Sequence, residues 1–92
     1  MLSIKYTNKM KRDVKRITKR GKDISKLVVV LDLLINGGQM PEKYQDHPLK
    51  GEMQEYRECH IESDWLLIYK IIDDELILLA SGTGTHSDLF DD

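Results

Sequence analysis

Three histidines give this sequence its clearest chemical potential. His47, His60 and His86 all lie in the second half of a chain of 92 residues. Imidazole exchanges protons near neutral pH, and a neighbouring carboxylate can fix its orientation. The residue types therefore predict a site for proton transfer, provided that the fold brings residues so far apart in sequence together.

The alternation of a β-strand indicates which side chains share a face with His60. Period two places Tyr56 and Glu58 on the face of His60, and it places Arg57, Cys59 and Ile61 on the other face. We expect helices to cover the more apolar face, which leaves Glu58 and His60 on the open one. Asp64 follows just past the next turn, so a second carboxylate is expected nearby.

Other readings of the polar and aromatic residues are less specific. No cysteine or histidine pair has the close spacing of a zinc site, so we predict no metal and no cofactor. Cys59 is the single cysteine and is expected to be a small core residue. Trp65 and Tyr69 are expected to be packing residues. Phe90, in a polar segment, either pins that segment to the body or stacks on a ligand.

Two helices are predicted to follow a short strand. Leu2–Tyr6 alternates apolar and polar residues, as a half-buried strand does. A basic helix begins after a cap at Thr7 or Asn8 and ends at Gly21. A second helix runs from about Ser25 to Ile35, with Asp23 or Ser25 as its cap. The short connection predicts a helical hairpin.

The rest of the chain predicts a loop and a meander of strands. Gln39–Gly51 contains two prolines and no clear period, which is typical of a long loop. The strands are predicted at Gln54–Ile61, Trp65–Ile72 and Glu75–Ala80, with the apolar second one in the centre. The order βααβββ predicts one α+β domain over residues 1–92. Its antiparallel four-stranded sheet carries the helical hairpin on one face.

The charge distribution is uneven along the chain. Residues 1–46 contain 11 basic and 5 acidic residues, whereas residues 47–92 contain 3 basic and 11 acidic residues. The net charge of −2 thus hides halves of +6 and −8, a pattern that suggests nucleic acid or a charged partner. The longest apolar runs are far shorter than the ~20 residues of a membrane span, so we expect no membrane. A single cysteine and no signal-peptide pattern lead us to expect a cytoplasmic location.

Four segments together resemble a known family. They are Asp46-His47-Pro48-Leu49-Lys50-Gly51, Tyr56-Arg57-Glu58-Cys59-His60-Ile61-Glu62-Ser63-Asp64-Trp65, Leu67-Ile68-Tyr69-Lys70 and Thr85-His86-Ser87-Asp88-Leu89-Phe90. In order and spacing the sequence resembles the YafQ branch of the RelE/ParE superfamily, the toxins of bacterial type II toxin–antitoxin modules. The resemblance implies the RelE-like fold over essentially the whole chain.

The resemblance also implies an activity and its partners. It implies an endoribonuclease that cuts messenger RNA in the ribosomal A site without a metal, and a DinJ- or RelB-like antitoxin that neutralises it. It implies catalytic roles for His47, His60, Asp64 and His86, and substrate contacts for Lys50, Arg57, Glu58 and Phe90. The basic region Lys9–Lys26 is then expected to face ribosomal RNA.

One departure from the family keeps two alternatives open. Relatives usually carry an arginine four residues before the last histidine, where this chain has Gly82. Lys50 or Arg57 is a candidate substitute for that cation. The first alternative is a ParE-like gyrase inhibitor without nuclease activity. The second is a catalytically weakened toxin that retains only antitoxin binding.

Overall fold

The computed structural model describes residues 1–37 and 39–90, which form a mixed sheet with two helices on one face and a short helix on the other. The strands are β1 (Ser3–Tyr6), β2 (His47–Pro48), β3 (Arg57–Glu62), β4 (Trp65–Ile72) and β5 (Ile77–Gly84). The helices are α1 (Asn8–Lys19), α2 (Ile24–Ile35) and α3 (His86–Phe90). No helix in this described part is long and apolar enough to cross a membrane.

The helical hairpin forms as the sequence predicts. The Thr7 side chain accepts a hydrogen bond from the Met10 N–H and caps α1. Gly21, at φ +86°, lets the chain turn after α1. The Asp23 side chain accepts from the Ser25 N–H, which starts α2 one residue earlier than expected.

The sheet has five strands, not the predicted four, and it is not wholly antiparallel. Its order is β1-β5-β4-β3-β2, with β1 parallel to β5 and the other pairs antiparallel. The extra strand is His47–Pro48, inside the predicted loop, where two residues pair with β3. The direction of β1 depends on the path of the chain through the helices, which alternation alone cannot reveal.

Strand β4 is buried on both faces, which explains its nearly continuous apolar sequence. Trp65, Leu67 and Tyr69 point into the main core. The core also takes residues from both helices and from neighbouring strands, among them Met10, Ile17, Leu27, Val30, Leu31, Leu34, Cys59, Leu78 and Ala80. Leu66 and Ile68 are buried on the opposite face. We call that opposite face, which also carries Glu58 and His60, the site face.

The bounds of the last elements differ from the prediction for local reasons. A 3₁₀ turn over Gly51–Met53 delays β3 to Arg57, and another over Asp73–Glu75 delays β5 to Ile77. Strand β5 continues to Gly84, beyond the predicted Ala80, because β4 offers partners as far as Leu66. Residues 86–90 form a helix where only a polar tail was expected.

Near the C-terminal end of β5, side chains from the α1 region take the place of a neighbouring strand. Strand β1 ends opposite Ala80, so Ser81–Thr83 has no neighbouring strand on that side. The Thr7 hydroxyl donates to the Ser81 carbonyl at 3.0 Å, and the fully buried Asp13 carboxylate accepts from the Thr83 N–H at 3.1 Å. Lys9, at 2.7 Å, and Arg16 neutralise Asp13.

We predict that Asp13→Ala destabilises the fold by about 1–3 kcal/mol, because the buried Thr83 N–H loses its acceptor. Lys9 and Arg16 are partly exposed and regain water, which limits the penalty. Urea denaturation measures the change. The exposed Asp32 on α2 is the matched control, and Asp32→Ala should change stability by no more than about 0.5 kcal/mol. Equal effects of the two substitutions would contradict the role assigned to Asp13.

Candidate active site

A buried carboxylate joins the first two histidines. His47 in β2 lies opposite Glu58 in β3, and His60 follows Glu58 by two residues on the same face. One Glu58 oxygen lies 3.4 Å from Nε2 of His47 and 3.4 Å from Nε2 of His60. Glu58 is only 6% exposed, so the prediction that its side chain lies open to solvent is wrong. Its side chain is covered by the two imidazoles that it supports.

The third histidine has a carboxylate of its own. Asp64, in the turn between β3 and β4, accepts hydrogen bonds from the His86 N–H at 3.2 Å and from Nδ1 of His86 at 3.1 Å. These bonds lower the pKa of Asp64 below its ordinary value. A charged carboxylate on Nδ1 orients the ring and leaves Nε2 available for another partner.

The aromatic rings of the site form a continuous row. Ring centroids are 6.4 Å apart between His47 and His60, 6.1 Å between His60 and His86, and 6.2 Å between His86 and Phe90. The fold thus brings together residues from β2, β3 and α3 that lie up to 43 positions apart in sequence. Leu66 and Ile68 form the apolar floor beside this row, since both are buried on the same face of the sheet.

Helix α3 is held in place by one carboxylate. The Asp88 N–H donates to the Thr85 hydroxyl and the Thr85 N–H donates to Asp88, which makes a capping box at the start of the helix. Arg20 donates to both Asp88 oxygens, at 2.6 and 3.1 Å. A guanidinium nitrogen of Arg16 lies 3.2 Å from one of these oxygens. The Arg20 hydrogen bonds, followed by those of Thr85, hold the pKa of Asp88 well below its ordinary value.

Two of the predicted substrate-binding residues are not part of the ring row. Arg57 lies on the core side of β3, where it donates to Asp46 at 2.6 Å beside the hydroxyl of Tyr69. Its pair with Asp46 raises the pKa of Arg57 despite partial burial. Lys50 is exposed three residues after His47 and forms no ion pair within residues 1–37 and 39–90. Neither side chain is positioned by contacts to replace the family arginine.

Cys59 lies in the core, as predicted. It is fully buried, and burial raises the pKa of its thiol to about 12. A thiol with such a pKa is protonated at neutral pH and is a poor nucleophile. Cys59 is therefore not a candidate for the chemistry of the site, which leaves the histidines and carboxylates as its candidate acid–base groups.

The sequence prediction missed Asp88, although a signal was present. Thr85-x-x-Asp88 has the spacing of a capping box, which predicts a helix start immediately before His86. The role of Arg16 and Arg20 in holding Asp88 had no local signal, because 68 residues separate Arg20 from Asp88.

His47, Glu58 and His60 also have the geometry of a metal-ligand set. One candidate ligand atom from each lies within 4.8 Å of the others. Imidazole nitrogens and a carboxylate oxygen suit transition metals such as zinc or copper. The three residues come from two paired strands, so the spacing in sequence that zinc motifs show could not reveal them.

Comparison with known proteins agrees with the fold. Residues 2–91 match the family described as bacterial toxin of type II toxin–antitoxin system, YafQ. The mRNA interferase toxin YafQ of Escherichia coli K12 is 46% identical over 88 residues, covering 95% of this chain and 94% of the relative.

Two solved structures are also similar over nearly their full length. The toxin in the E. coli DinJ–YafQ complex has a TM-score of 0.89 and 43% identity, covering 98% of this chain and 99% of that one. A metal-bound toxin from Helicobacter pylori has a TM-score of 0.93 and 40% identity, covering 98% of this chain and all of that one. The α+β chain described here belongs to the YafQ family of bacterial toxins of type II toxin–antitoxin systems, which confirms the resemblance found in the sequence.

We predict that Asp88→Asn lowers the free energy of unfolding by about 1–2 kcal/mol at pH 7, because the charged hydrogen bonds to Arg20 are weakened. A depressed pKa means that this contribution is present above the ordinary value of 3.8 and is lost as pH falls below it. The difference from wild type should therefore be constant from about pH 5 to 8 and shrink below about pH 4. Urea denaturation across this range measures it.

The exposed Asp74 offers a matched control, since Asp74→Asn removes a carboxylate that lies in a surface turn. Its difference from wild type should stay close to zero at every pH. A stability difference for Asp88→Asn that stays constant down to pH 3 would contradict the ion pair as its cause.

Proposed function

We propose that this protein is the toxin of a type II module and acts as a ribosome-dependent, metal-independent endoribonuclease that cleaves messenger RNA and stops translation. The observation that supports this most directly is the row of three imidazoles, two of which have separate carboxylate partners. The relative from E. coli, which is named an mRNA interferase, supports the same activity.

The proposed reaction breaks one phosphodiester bond and forms another. The 2′-hydroxyl of the ribose attacks the adjacent phosphorus, and the bond from phosphorus to the 5′-oxygen breaks. The products are a 2′,3′-cyclic phosphate and a 5′-hydroxyl end. A base takes the proton of the 2′-hydroxyl, and an acid gives a proton to the departing 5′-oxygen. General acid–base catalysis of this kind contributes typically about 10²–10⁴-fold.

His60 and His86 are the proposed acid–base pair. Their ring centroids are 6.1 Å apart, so both imidazoles can contact the same phosphodiester group. Asp64 holds Nδ1 of His86, so Nε2 of His86 is the nitrogen that meets the substrate. A Glu58 oxygen lies 3.4 Å from Nε2 of His60, so the imidazolium that forms when His60 takes a proton has a carboxyl group beside it. Asp64 or His47 orients or assists this pair.

A metal ion takes no part in this reaction. An ion held by His47, Glu58 and His60 would occupy the imidazole lone pairs that must carry protons. We therefore infer that such an ion at this site would inhibit cleavage.

The antitoxin and the ribosome are the proposed partners. The DinJ–YafQ complex supports an antitoxin of the DinJ kind, which we expect to use an acidic segment against the basic first half of this chain. Five of the nine basic residues between Lys9 and Lys26 are paired within the described chain, on Asp13, Asp88 or Glu62. The unpaired ones are Lys11, Arg12, Lys15 and Lys19, all exposed. At 100° per residue they share one face of α1, which is the proposed contact with ribosomal RNA.

We predict that His86→Ala lowers messenger RNA cleavage by at least about 10²-fold, since one of the two proton-transfer groups is lost. Transcript ends are mapped after brief induction in cells, and folding is checked by thermal denaturation. The exposed neighbour Ser87 provides the control, and Ser87→Ala should cleave as wild type does.

The same mapping separates the proposed function from its alternatives. Cuts in phase with codons in translated messages support the nuclease. DNA damage without such cuts would instead identify a gyrase inhibitor, and neither effect would identify a weakened toxin. Unchanged cleavage by the His86 variant would contradict the role given to that histidine.

We predict that ribosome binding weakens steeply with salt and that the double variant Lys11→Gln/Lys15→Gln reduces the slope. Each phosphate contact that is lost lowers the slope of log K against log salt concentration by about 1, so the expected change is about 2. Cosedimentation with ribosomes at several salt concentrations measures it. Lys5→Gln/Lys43→Gln removes the same charge from exposed positions outside α1 and should keep the wild-type slope. Binding that barely changes with salt would contradict the proposed RNA contact.

A further inference from the structure

A groove lies on the site face immediately beyond the ring row. It encloses about 300 Å³, at the lower end of the range for pockets that bind small ligands. Its lining consists of Thr7, Lys9, Met53, Tyr56, Ile68, Ser81, Gly82, Leu89 and Phe90. We call it the Phe90 groove, because Phe90 is shared between its lining and the row of histidines.

The missing side chain of Gly82 gives one cation access to this groove. Gly82 pairs with Ile68, and Ile68 pairs with Glu58, so a side chain at position 82 would point to the site face. A Cβ there would lie 3.1 Å from Nζ of Lys9, 3.2 Å from a carboxylate oxygen of Asp13 and 3.2 Å from a Leu89 methyl carbon. The Lys9 ammonium therefore sits over the backbone of β5, in the space that a larger residue would claim.

Two lysines have contacts on this face. Lys70 lies 5.5 Å from the centroid of the Tyr56 ring but is paired with Glu55 at 3.0 Å, and Lys9 is the cation that lines the groove itself. Its side chain is 46% exposed, so the ammonium reaches solvent while Asp13 anchors it at 2.7 Å. Arg16 and Arg20 are bound to Asp88, and Arg57 lies on the other side of the sheet with Asp46. Asp13 keeps Arg16 as a second partner, so Lys9 can bind an anion without leaving that carboxylate unpaired.

The other walls of the groove are suited to a planar ring. Tyr56 and Phe90 are aromatic, Phe90 is 38% exposed, and Met53 is 42% exposed. Single-stranded RNA is bound by stacking its bases on aromatic side chains, with cations on the phosphates. Ser81 adds a hydroxyl that is buried and has no hydrogen-bond partner within the described residues.

We propose that the Phe90 groove binds the nucleotide next to the cleaved bond, with its base against Tyr56 and Phe90 and its phosphate on Lys9. This inference rests on the proposed nuclease function and adds a substrate subsite to it. Adjacent strands lie about 4.8 Å apart, so the backbone at Gly82 is about 10 Å from that at Glu58. That distance is suited to a neighbouring nucleotide of the same strand. Lys9 thereby supplies positive charge to this part of the candidate site.

In the binding test, nucleoside 3′-monophosphates are titrated into the full-length protein. Changes in the NMR chemical shifts of the protein measure binding. We expect the largest shifts at the Gly82 amide and at the Leu89 and Met53 methyl groups. Lys9→Met should weaken the Kd about tenfold or more, as expected for losing a hydrogen bond to a charged group. Tyr56→Ala should weaken it about fivefold or more, as expected for losing one stacked base.

Matched probes and variants make the binding test selective. Lys5→Met removes the same charge from an exposed position on β1 and should leave the Kd unchanged. Lys9→Arg keeps the cation and should retain most of the affinity. Ribose 5-phosphate and inorganic phosphate should bind more weakly than any nucleotide. Equal binding of nucleotide and ribose phosphate would overturn the base subsite. Equal losses in Lys9→Met and Lys5→Met would overturn the role of Lys9. Binding of an apolar antitoxin peptide in place of nucleotides would mark the groove as a protein-docking surface and would also overturn the proposal.

Cleavage assays separate a failure of this inference from a failure of the proposed function. In a translation extract, Lys9→Met should cut messages at least about tenfold more slowly, and its melting temperature shows whether the fold is intact. If wild type cuts and a folded Lys9→Met cuts equally fast, the groove inference fails and the nuclease function stands. If wild type binds nucleotides in the groove and cuts nothing, the nuclease function fails and the subsite stands as a nucleotide site.

Discussion

The rest of the site depends on one constraint, which is the edge of β5 at Ser81–Thr83 that β1 leaves unpaired. Strand β1 ends opposite Ala80, and a buried N–H at Thr83 needs an acceptor. Asp13 supplies it, and this carboxylate fixes α1 against the strand with Lys9 on one side and Arg16 on the other. Arg16 then reaches Asp88, together with Arg20 from the end of the helix. The position of His86 is thus linked to a backbone hydrogen bond on the far edge of the sheet.

The opposite charges of the two halves meet across the fold. Carboxylates of the acidic half pair with cations of the helices, at Asp88 with Arg20 and at Glu62 with Lys22 and Lys26. Other carboxylates support histidines, at Glu58 and Asp64. The carboxylates beside the proposed phosphate site therefore each have a lysine, arginine or histidine side chain as a partner. One face of α1 keeps its positive charge for a partner.

Much of this arrangement could be predicted, and the exceptions have physical causes. Helix periodicity and capping residues gave both long helices to within a residue or two, and the apolar stretch Trp65–Ile72 gave the central strand with its bounds. The common face of Glu58 and His60 followed from alternation. The direction of β1, the strand at His47 and the placement of Arg57 with Asp46 depend on contacts between distant segments. The Phe90 groove depends on the lack of a side chain at Gly82 and on Lys9, which reaches it from α1.

The buried residues of the site belong to the fold, and most of its candidate catalytic side chains are exposed. The floor, Leu66 and Ile68, belongs to the central strand and is nearly inaccessible, whereas the side chains of His47, Asp64 and His86 are each about half exposed or more. Exposed positions usually tolerate substitution with little loss of stability. Given the catalytic roles proposed for these residues, single changes there would stop the reaction and leave the fold intact. For a gene whose product harms its own host cell, this layout makes loss of activity easy to reach by mutation, while the fold that an antitoxin would recognise persists.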